Sequence, residues 1–269
     1  MSAVQAKKSD LKVRVLSAIV MVTVAGAALW LGGRVWAMFL AAVGVGVLWE
    51  WWGLVRKFVS GVTGRTLWMF GGLAYIGSAL AALLVLRGWS LEGWIVLGCV
   101  ILGVIGTDVG AYFVGRTFGG PKIAPKISPS KTWSGLGGGI LGALLGMFVG
   151  ASLMAGTLAW PRFGIDLDIG FALSKQVISD HPFGFVMSGM ILAVVAQSGD
   201  FFQSWMKRRA GVKDSGKLIP GHGGLFDRAD GMLAVLFALV VLSSTLFVPA
   251  ALQNQSFADA VVSELMQLR

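Results

Sequence analysis

Seven long apolar runs divide this 269-residue chain and limit the folds that it can adopt. Each run has the length of about 17–25 residues that an α-helix needs to cross a lipid bilayer. The runs are Val15–Leu31, Val35–Val55, Thr66–Leu86, Gly93–Val114, Trp133–Ala155, Phe183–Gln203 and Gly231–Leu252. Backbone polar groups have no water partners in lipid, so only helices or closed barrels span it, and these runs lack the alternating pattern of barrel strands. The sequence therefore predicts an all-α polytopic integral membrane protein with about seven transmembrane helices, within a range of six to nine.

The composition supports a membrane protein and narrows its partners. Hydrophobic residues make up 56% of the chain and charged residues 13%, whereas a soluble domain has about 25% charged residues. The net charge of +9 indicates loops that face anionic lipid. The expected partner is therefore the lipid bilayer, and binding to nucleic acid is not expected. The single cysteine, Cys99, excludes an internal disulfide and a cysteine zinc site. No repeat or low-complexity linker divides the sequence, and 1–269 is predicted to be a single membrane-embedded domain.

Lys and Arg residues predict the orientation, because they concentrate in cytoplasmic loops. With the N-terminus inside, 17 of the 22 Lys and Arg residues fall in inner segments and five in outer segments. An extra or missing span would scramble this division, so it also supports the number of spans. The outer segment Gly156–Pro182 contains Asp166, Asp168, Asp180 and His181. We interpret these as residues of a solvated loop rather than metal ligands.

Acidic residues inside or beside membrane spans are costly and usually functional. Asp108 lies about two turns from the predicted inner end of its span, and Asp200 lies near the inner end of the sixth span. Asp227 and Asp230 precede the seventh span on the same side. Four carboxylates are thus expected at one depth, although a structural ion pair is the alternative for Asp108 and Asp200. For Glu50, in the second span, two interpretations stay open: it joins this group, or it reaches the interface between neighbouring tryptophans.

The end of the sixth span presents polar groups on one helical face. Asp200, Ser204, Lys207 and Arg208 are spaced at i, i+4, i+7 and i+8. Carboxylates bind Mg²⁺, and cations neutralise the phosphate oxygens that a metal does not reach. We therefore predict that this face binds a metal and a polyphosphate. The alternative is a cluster of cations that contact lipid headgroups, which we favour for Arg209 alone.

A proline-rich loop, Lys122–Ser134, is expected to contribute to the same site. Its prolines disfavour a helix, and hydroxyls and a lysine at the start of the next span suit phosphate binding. The candidate residues are Ser128, Ser130, Lys131 and Thr132. The alternative for Ser130 or Thr132 is capping of the fifth span.

A glycine-rich loop, Pro220–Gly224, is the second candidate phosphate loop. Its glycines allow backbone amides to face an anion, and Gly223 and Gly224 are therefore predicted to bind substrate. The GxxxxGK[ST] pattern of a nucleotide-binding P-loop is absent from the sequence. His222 is a candidate acid, base or hydrogen-bond donor to phosphate, with a purely structural histidine as the alternative.

The polar stretch that follows the sixth span resembles the signature of the phosphatidate cytidylyltransferases, or CDP-diacylglycerol synthases. The signature runs Ser-x-apolar-Lys-Arg, four residues, Lys-Asp and, after a spacer, Pro/Gly-x-His-Gly-Gly-apolar-x-Asp-Arg-apolar-Asp. This chain has Ser204-Trp-Met-Lys207-Arg208, Lys213-Asp214 and Pro220-Gly-His222-Gly-Gly-Leu-Phe-Asp227-Arg228-Ala229-Asp230. Ala229 stands where a larger residue is usual, which changes packing rather than chemistry. The runs Thr107–Tyr112 and Ser128–Thr132 are also similar to the family, so the predicted catalytic region is 106–231, whereas 1–92 is only generically similar.

The resemblance implies transfer of CMP from CTP to phosphatidate, giving CDP-diacylglycerol and pyrophosphate in phospholipid biosynthesis. It implies Mg²⁺ as cofactor, with a second cation left open, and an active site that faces the cytoplasm from the cell inner membrane. In the family, acids that match Asp200 and Asp227 hold the metals, and Asp230 and Asp108 are expected to support them. The expected catalytic residues are Asp200, Asp227, Asp230, Lys207, Arg208 and His222, and Ser204, Lys213, Asp214 and Arg228 are expected to bind substrate. A homodimer is compatible with the sequence, although no pattern in it indicates one.

A transporter, another membrane phosphotransferase and a related cytidylyltransferase are the alternatives to this function. A transporter would place its acids near the midplane of the bilayer, whereas these acids crowd one face. The Asp-Gly-x-x-Ala-Arg run of CDP-alcohol phosphotransferases and the DDxxD motif of prenyltransferases are absent from the sequence. A related cytidylyltransferase that acts on another lipid phosphate is the nearest alternative, because the polar motif does not read the lipid tail.

Overall fold

The computed structural model describes residues 3–88, 91–157 and 166–243, which form eight helices and one small hairpin. The helices are α1 (Ala3–Leu31), α2 (Gly33–Phe58), α3 (Val62–Gly88), α4 (Leu91–Phe118), α5 (Trp133–Gly156), α6 (Leu167–Asp180), α7 (Pro182–Arg209) and α8 (Phe226–Leu242). The hairpin lies between α4 and α5 and consists of antiparallel strands β1 (Lys122–Ala124) and β2 (Ser128–Thr132). The expected all-α polytopic class is therefore confirmed.

Six of the described helices are long and apolar enough to cross a membrane, namely α1 to α5 and α7. They correspond to the first six predicted spans and extend past most of their ends, as in α2, which runs over Gly33–Phe58 where Val35–Val55 was expected. The predicted seventh span, Gly231–Leu252, begins within α8, and its part beyond residue 243 lies outside the described residues.

Glycines bring α4 and α5 into close contact along most of their length. A Cβ added at Gly106 would lie 2.1 Å from the carbonyl oxygen of Gly142, and one added at Gly150 would lie 2.2 Å from that of Gly98. No other residue fits such distances, because a side chain would overlap the facing backbone. Small residues at helix interfaces are a usual means of association in lipid, where no hydrophobic effect draws helices together.

Aromatic rings join α2, α3, α7 and α8 near the polar end of the bundle. The buried ring of Trp51 lies 5.9 Å from Phe202 and 5.8 Å from Phe226 by ring centroids. Its Nε1–H donates to the carbonyl oxygen of Trp68 at 3.0 Å. Because its ring is packed and its N–H has a partner, Trp51 holds together the helix ends that carry the polar residues.

The segment expected to be an outer solvated loop contains a helix. Asp166 caps α6, because its Oδ1 accepts hydrogen bonds from the backbone N–H groups of Asp168 and Ile169, both at 3.1 Å. Gly170 and Ser174 are buried, and a Cβ at Gly170 would lie 2.0 Å from the carbonyl oxygen of Ser152 on α5. The helix therefore packs on α5, while residues 158–165 of the expected loop lie outside the described residues.

Candidate active site

The polar residues predicted to act together come from one end of the helix bundle. The C-terminal halves of α2, α4 and α7, the start of α8, the hairpin and residues 211–225 meet there. Consecutive membrane helices run in opposite directions, so the C-terminal end of one helix lies at the same end of the bundle as the N-terminal end of the next. We refer to this end of the bundle as the polar site.

Asp227, in the first turn of α8, accepts hydrogen bonds at both carboxylate oxygens. Oδ1 accepts from Gln203 Nε2 at 2.8 Å and from Lys207 Nζ at 2.7 Å. Oδ2 accepts from the backbone N–H of Ser215 at 2.9 Å, from Ser215 Oγ at 3.0 Å and from the backbone N–H of Gly224 at 3.0 Å. Burial opposes ionisation, but the bonds from Lys207, Ser215 and Gly224 outweigh it and hold the pKa of the Asp227 carboxyl below its usual value.

Glu50 belongs to the polar site, which decides between its two interpretations. The residue is 2% exposed, so its carboxylate does not reach the membrane interface. Its oxygens accept hydrogen bonds from the backbone N–H groups of Leu225 at 3.0 Å and Phe226 at 2.8 Å. Ser215 Oγ lies 2.9 Å from Glu50 Oε2, and its single proton is shared between this carboxylate and that of Asp227. Glu50 therefore attaches α2 to the start of α8, and Ser215 lies between the Glu50 and Asp227 carboxylates.

The hairpin docks on α7 through charged and polar contacts. Lys131 on β2 forms an ion pair with Asp200 on α7. Arg208, two turns further along α7, donates from Nε to the carbonyl oxygen of Ile127 in the hairpin turn at 3.3 Å. Lys131 and Asp200 were both predicted site residues, and the structure brings them together.

Thr132 has a structural role in the polar site. It is 2% exposed, and its Oγ1 accepts a hydrogen bond from the backbone N–H of Gly135 at 3.0 Å, which caps α5. Of the two alternatives that the sequence left open for this residue, the structure shows capping. Its predicted partners Ser128 and Ser130 lie on the same strand, Ser130 exposed and Ser128 half-buried.

Three further carboxylates approach one another where α4, α7 and α8 meet. An added Cβ at Gly199 would lie 2.5 Å from the carbonyl oxygen of Asp230, so α7 and α8 cross beside Asp200. Asp108, Asp200 and Asp230 are close enough for their charges to interact. Asp230 Oδ1 accepts from the backbone N–H of Gly231 at 2.9 Å. Among the described residues, Asp108 has no hydrogen-bond or ion-pair partner.

A divalent cation at this end of the bundle would need carboxylate oxygens that have no other partner. Within the ranges that the structure describes, no three His, Cys, Asp or Glu side chains converge closely enough to hold a metal ion. Mg²⁺ does not require such a group, because it commonly takes one or two carboxylates together with waters and substrate phosphates. Asp200 and Asp230 fit this requirement, since each has one oxygen without a protein donor in the described chain. Asp227 does not fit it, since both of its oxygens already accept from several donors.

The loop Pro220–Gly224 folds on itself rather than opening toward an anion. The backbone N–H groups of His222 and Gly223 both donate to the carbonyl oxygen of Ile219, and the N–H of Gly224 donates to Asp227. These amides already have partners within the protein, so the substrate-binding role of Gly223 and Gly224 stays a prediction that would need these hydrogen bonds to be exchanged. Arg228 Nη2 donates to the carbonyl oxygen of His222 at 2.8 Å, which fixes the loop to α8.

The remaining predicted residues surround this network without joining it. Ser204 is half-buried on α7, and Lys213 and Asp214 are exposed in the segment after it. Sequence reasoning missed Gln203 and Ser215, which donate to Asp227. Gln203 could have been found, because it lies four residues before Lys207 and thus on the same face of α7.

The fold and this site define a polytopic membrane protein whose acids and cations are paired at one end of the bundle. A sequence model of the cytidylyltransferase family matches residues 54–246, and the chain belongs to that family. A relative named phosphatidate cytidylyltransferase from Brucella suis biovar 1 (strain 1330) is 32% identical, over 91% of this chain and 98% of the relative. A relative of the same name from Rickettsia felis (strain ATCC VR-1525 / URRWXCal2) is 34% identical, over 87% of this chain and 94% of the relative.

Proposed function

We propose that the protein transfers CMP from CTP to phosphatidate, giving CDP-diacylglycerol and pyrophosphate. Family membership and the names of full-length relatives support the reaction. The observation that carries the proposal is the pairing of Lys131 with Asp200 and of Lys207 with Asp227, beside Asp108 and Asp230, which form no ion pair within the described residues. Such a site supplies cations for phosphate oxygens and carboxylates for a metal within one small volume.

The chemistry explains why the site needs cations beside its acids. A phosphate oxygen of phosphatidate attacks the α-phosphorus of CTP, the bond to the β-phosphate oxygen breaks, and pyrophosphate leaves with the electron pair. The nucleophile is already an anion, so no strong base is needed, and the barrier lies in bringing two anions together. Lys131, Lys207, Arg208 and Arg228 would neutralise this charge.

Asp200 and Asp230 are the residues that would hold Mg²⁺. When bound, the ion would neutralise charge on the phosphates and so assist the displacement. Asp108 would support these ligands from α4, since its carboxylate and that of Asp200 repel each other and a bound cation would relieve this repulsion. Asp227 would instead orient Lys207 and the segment around Ser215, because its oxygens are occupied by their hydrogen bonds.

An apolar cavity offers a location for the lipid chains of the substrate. It has a volume of about 480 Å³ and is lined by Trp51, Leu67, Trp68, Gly71, Tyr75 and Phe202. Trp51, in its wall, directly follows Glu50 on α2 and lies 5.8 Å from Phe226 by ring centroids, so the cavity adjoins the polar site. An acyl chain there would place the phosphate of the lipid beside the acids and cations.

Filling this cavity tests the lipid location. Gly71 is exposed and an added Cβ would meet no atom within 4 Å, so Gly71→Leu can project into the cavity without a clash. We expect a higher KM for phosphatidate, by about tenfold, and an unchanged KM for CTP. Gly77→Leu is the matched control, because it lies on the same helix, has the same free space and does not line the cavity. Equal effects of the two variants would reject this location.

The reaction itself is tested by pyrophosphate release from purified protein in detergent. The assay uses CTP and Mg²⁺, with and without phosphatidate, and EDTA as control. Release that needs all three components is the expected result. Release only with another lipid phosphate would assign the related activity, and no release with any lipid from folded protein would reject nucleotidyl transfer and favour a transporter.

The site is proposed to face the cytoplasm from the inner membrane. CTP is a cytoplasmic nucleotide, and the 17 Lys and Arg residues of the predicted inner segments include those of the polar site.

A further inference from the structure

The His222 side chain contacts a helix that precedes it by some two hundred residues. Its Nδ1 lies 2.8 Å from Ser17 Oγ on α1, and both residues are partly buried. A second contact joins the same two segments: a Cβ added at Gly221 would lie 3.1 Å from Arg14 Cγ and 3.3 Å from Val13 Cγ1. Gly221 has a φ of +75°, a conformation that glycine adopts readily, and this lets the loop lie against α1.

The contacts of Ser17 favour one position for the proton on the His222 ring. A serine hydroxyl has one proton to donate and lone pairs that accept. Ser17 Oγ donates its proton to the carbonyl oxygen of Arg14 at 3.0 Å, one turn earlier in α1. With this proton on the bond to Arg14, the ring is the donor in the contact with His222: Nδ1–H donates to Ser17 Oγ, and Nε2 is the nitrogen without a proton in the neutral ring.

The backbone of His222 is fixed as well, which leaves one atom of the residue for substrate. Its N–H donates to the carbonyl oxygen of Ile219 and its own carbonyl oxygen accepts from Arg228, so the main chain of the loop is held beside α1. Within the described part of the chain Nε2 has no partner. This nitrogen can take a proton and donate it to a phosphate oxygen, and Ser17 accepts from Nδ1–H in either protonation state.

We infer that Ser17 is a positioning residue for the reaction, which holds His222 in the tautomer whose Nε2 faces the phosphates of the substrates. This role rests on the proposed function and extends the site to α1. Ser17 lies outside the family match, which begins at residue 54. The apolar window of α1 is only 6% buried within the protein, so little else holds α1 against the polar site.

The tautomer can be measured directly, because the chain has only two histidines. His181→Gln leaves His222 as the single histidine, and ¹⁵N-histidine labelling in detergent then gives one pair of ring nitrogen signals. In the neutral state of the ring we expect the Nδ1–H tautomer. Ser17→Ala should shift the signals toward the Nε2–H tautomer that water favours, and Ser17→Thr, which keeps the hydroxyl, should restore the original signals.

Activity provides the second readout, with a matched serine as control. Loss of one positioning hydrogen bond is expected to lower kcat by about tenfold in Ser17→Ala, with the KM for CTP unchanged and near-normal kcat in Ser17→Thr. Ser188→Ala is the control, because Ser188 is an exposed helical serine that donates only to its own helix, at Gly184. We expect this variant to match the parent protein.

Two outcomes would overturn the inference. One is an Nε2–H tautomer in the parent protein, and the other is a tautomer that does not change in Ser17→Ala. Because the nuclear magnetic resonance measurement needs no turnover, it tests the contact even if the parent protein transfers no CMP. If the parent protein transfers no CMP but has the expected Nδ1–H tautomer, the proposed function is rejected and the contact between Ser17 and His222 still stands.

Discussion

Asp200 and Asp227 were predicted to have the same role, but their surroundings differ. Asp227 accepts hydrogen bonds at both oxygens, whereas the Asp200 carboxylate forms an ion pair with Lys131 and keeps one oxygen open among the described residues. A carboxylate with an open oxygen can bind a metal, and one that is fully hydrogen-bonded orients its donors instead. Replacing each of the two residues by asparagine should therefore have different effects on activity and stability.

Asp200→Asn is expected to lower kcat/KM at least a hundredfold with little change in melting temperature. Asp227→Asn should lower both kcat/KM and the melting temperature, because the amide NH₂ of asparagine would face hydrogen-bond donors in place of an accepting carboxylate oxygen. Each hydrogen bond lost to a charged acceptor costs about 1.5–3 kcal/mol. Thermal unfolding in detergent and pyrophosphate release would be measured for both, with Asp168→Asn as an exposed control. Equal melting temperatures would contradict the structural role given to Asp227.

Glu50 gives a second prediction for a single side chain. Glu50→Gln keeps the size of the residue but removes the charge and one acceptor from the backbone N–H groups of Leu225 and Phe226. We expect the segment before α8 to loosen, so that trypsin cleaves faster at the exposed Lys213 and Lys217 and kcat falls about tenfold. Glu92→Gln, an exposed glutamate at the start of α4, is the control. Unchanged cleavage in Glu50→Gln would contradict the conclusion that Glu50 attaches α2 to the start of α8.

Helical spacing predicted part of this network and could not predict the rest. It placed Asp200 and Lys207 on one face of α7, because positions along a single helix follow a fixed period. The partners of Asp227 lie on α7 and in residues 211–225, and those of Glu50 follow it by 165 to 176 residues. Such pairs depend on how helices pack, which the sequence pattern of one helix does not contain.

The contact between α4 and α5 carries the prediction for whole helices. Gly142→Ala would place a Cβ 2.0 Å from the carbonyl oxygen of Gly106, so the helices must separate. Overpacking of this kind costs about 1–3 kcal/mol, and the melting temperature should fall by several degrees. Gly137→Ala on the same helix is the control, since its Cβ would meet no atom within 4 Å. Equal melting temperatures would mean that this interface does not govern stability.

Hydropathy predicted the membrane helices well and the shorter elements less well. Six spans were located because a long apolar run in lipid has few alternatives to a helix. The proline-rich loop was correctly predicted as non-helical, although its pairing as β1 and β2 depends on contacts with α5 and α7. The α6 helix was missed, because Asp166 and the small buried residues Gly170 and Ser174 give only a short amphipathic pattern.

The complete bundle places its charges unevenly, and this asymmetry has a function in the proposed reaction. The polar site, the hairpin and residues 211–225 all lie at one end, and the Lys and Arg residues of these elements account for much of the net charge of +9. A basic surface at this end would attract both CTP and anionic lipid headgroups. The reaction therefore requires that this end face the compartment that holds CTP.

Cysteine labelling in right-side-out membrane vesicles tests that requirement. Cys99→Ser removes the only native thiol, and Lys126→Cys or Lys175→Cys then adds one exposed thiol, in the hairpin turn or on α6. A membrane-impermeant maleimide should label the α6 thiol in intact vesicles and the hairpin thiol only after the membrane is opened. Retained pyrophosphate release in both variants is the control for correct folding. The reverse labelling pattern would place the polar site away from cytoplasmic CTP, and the proposed reaction would then fail for the molecule as a whole.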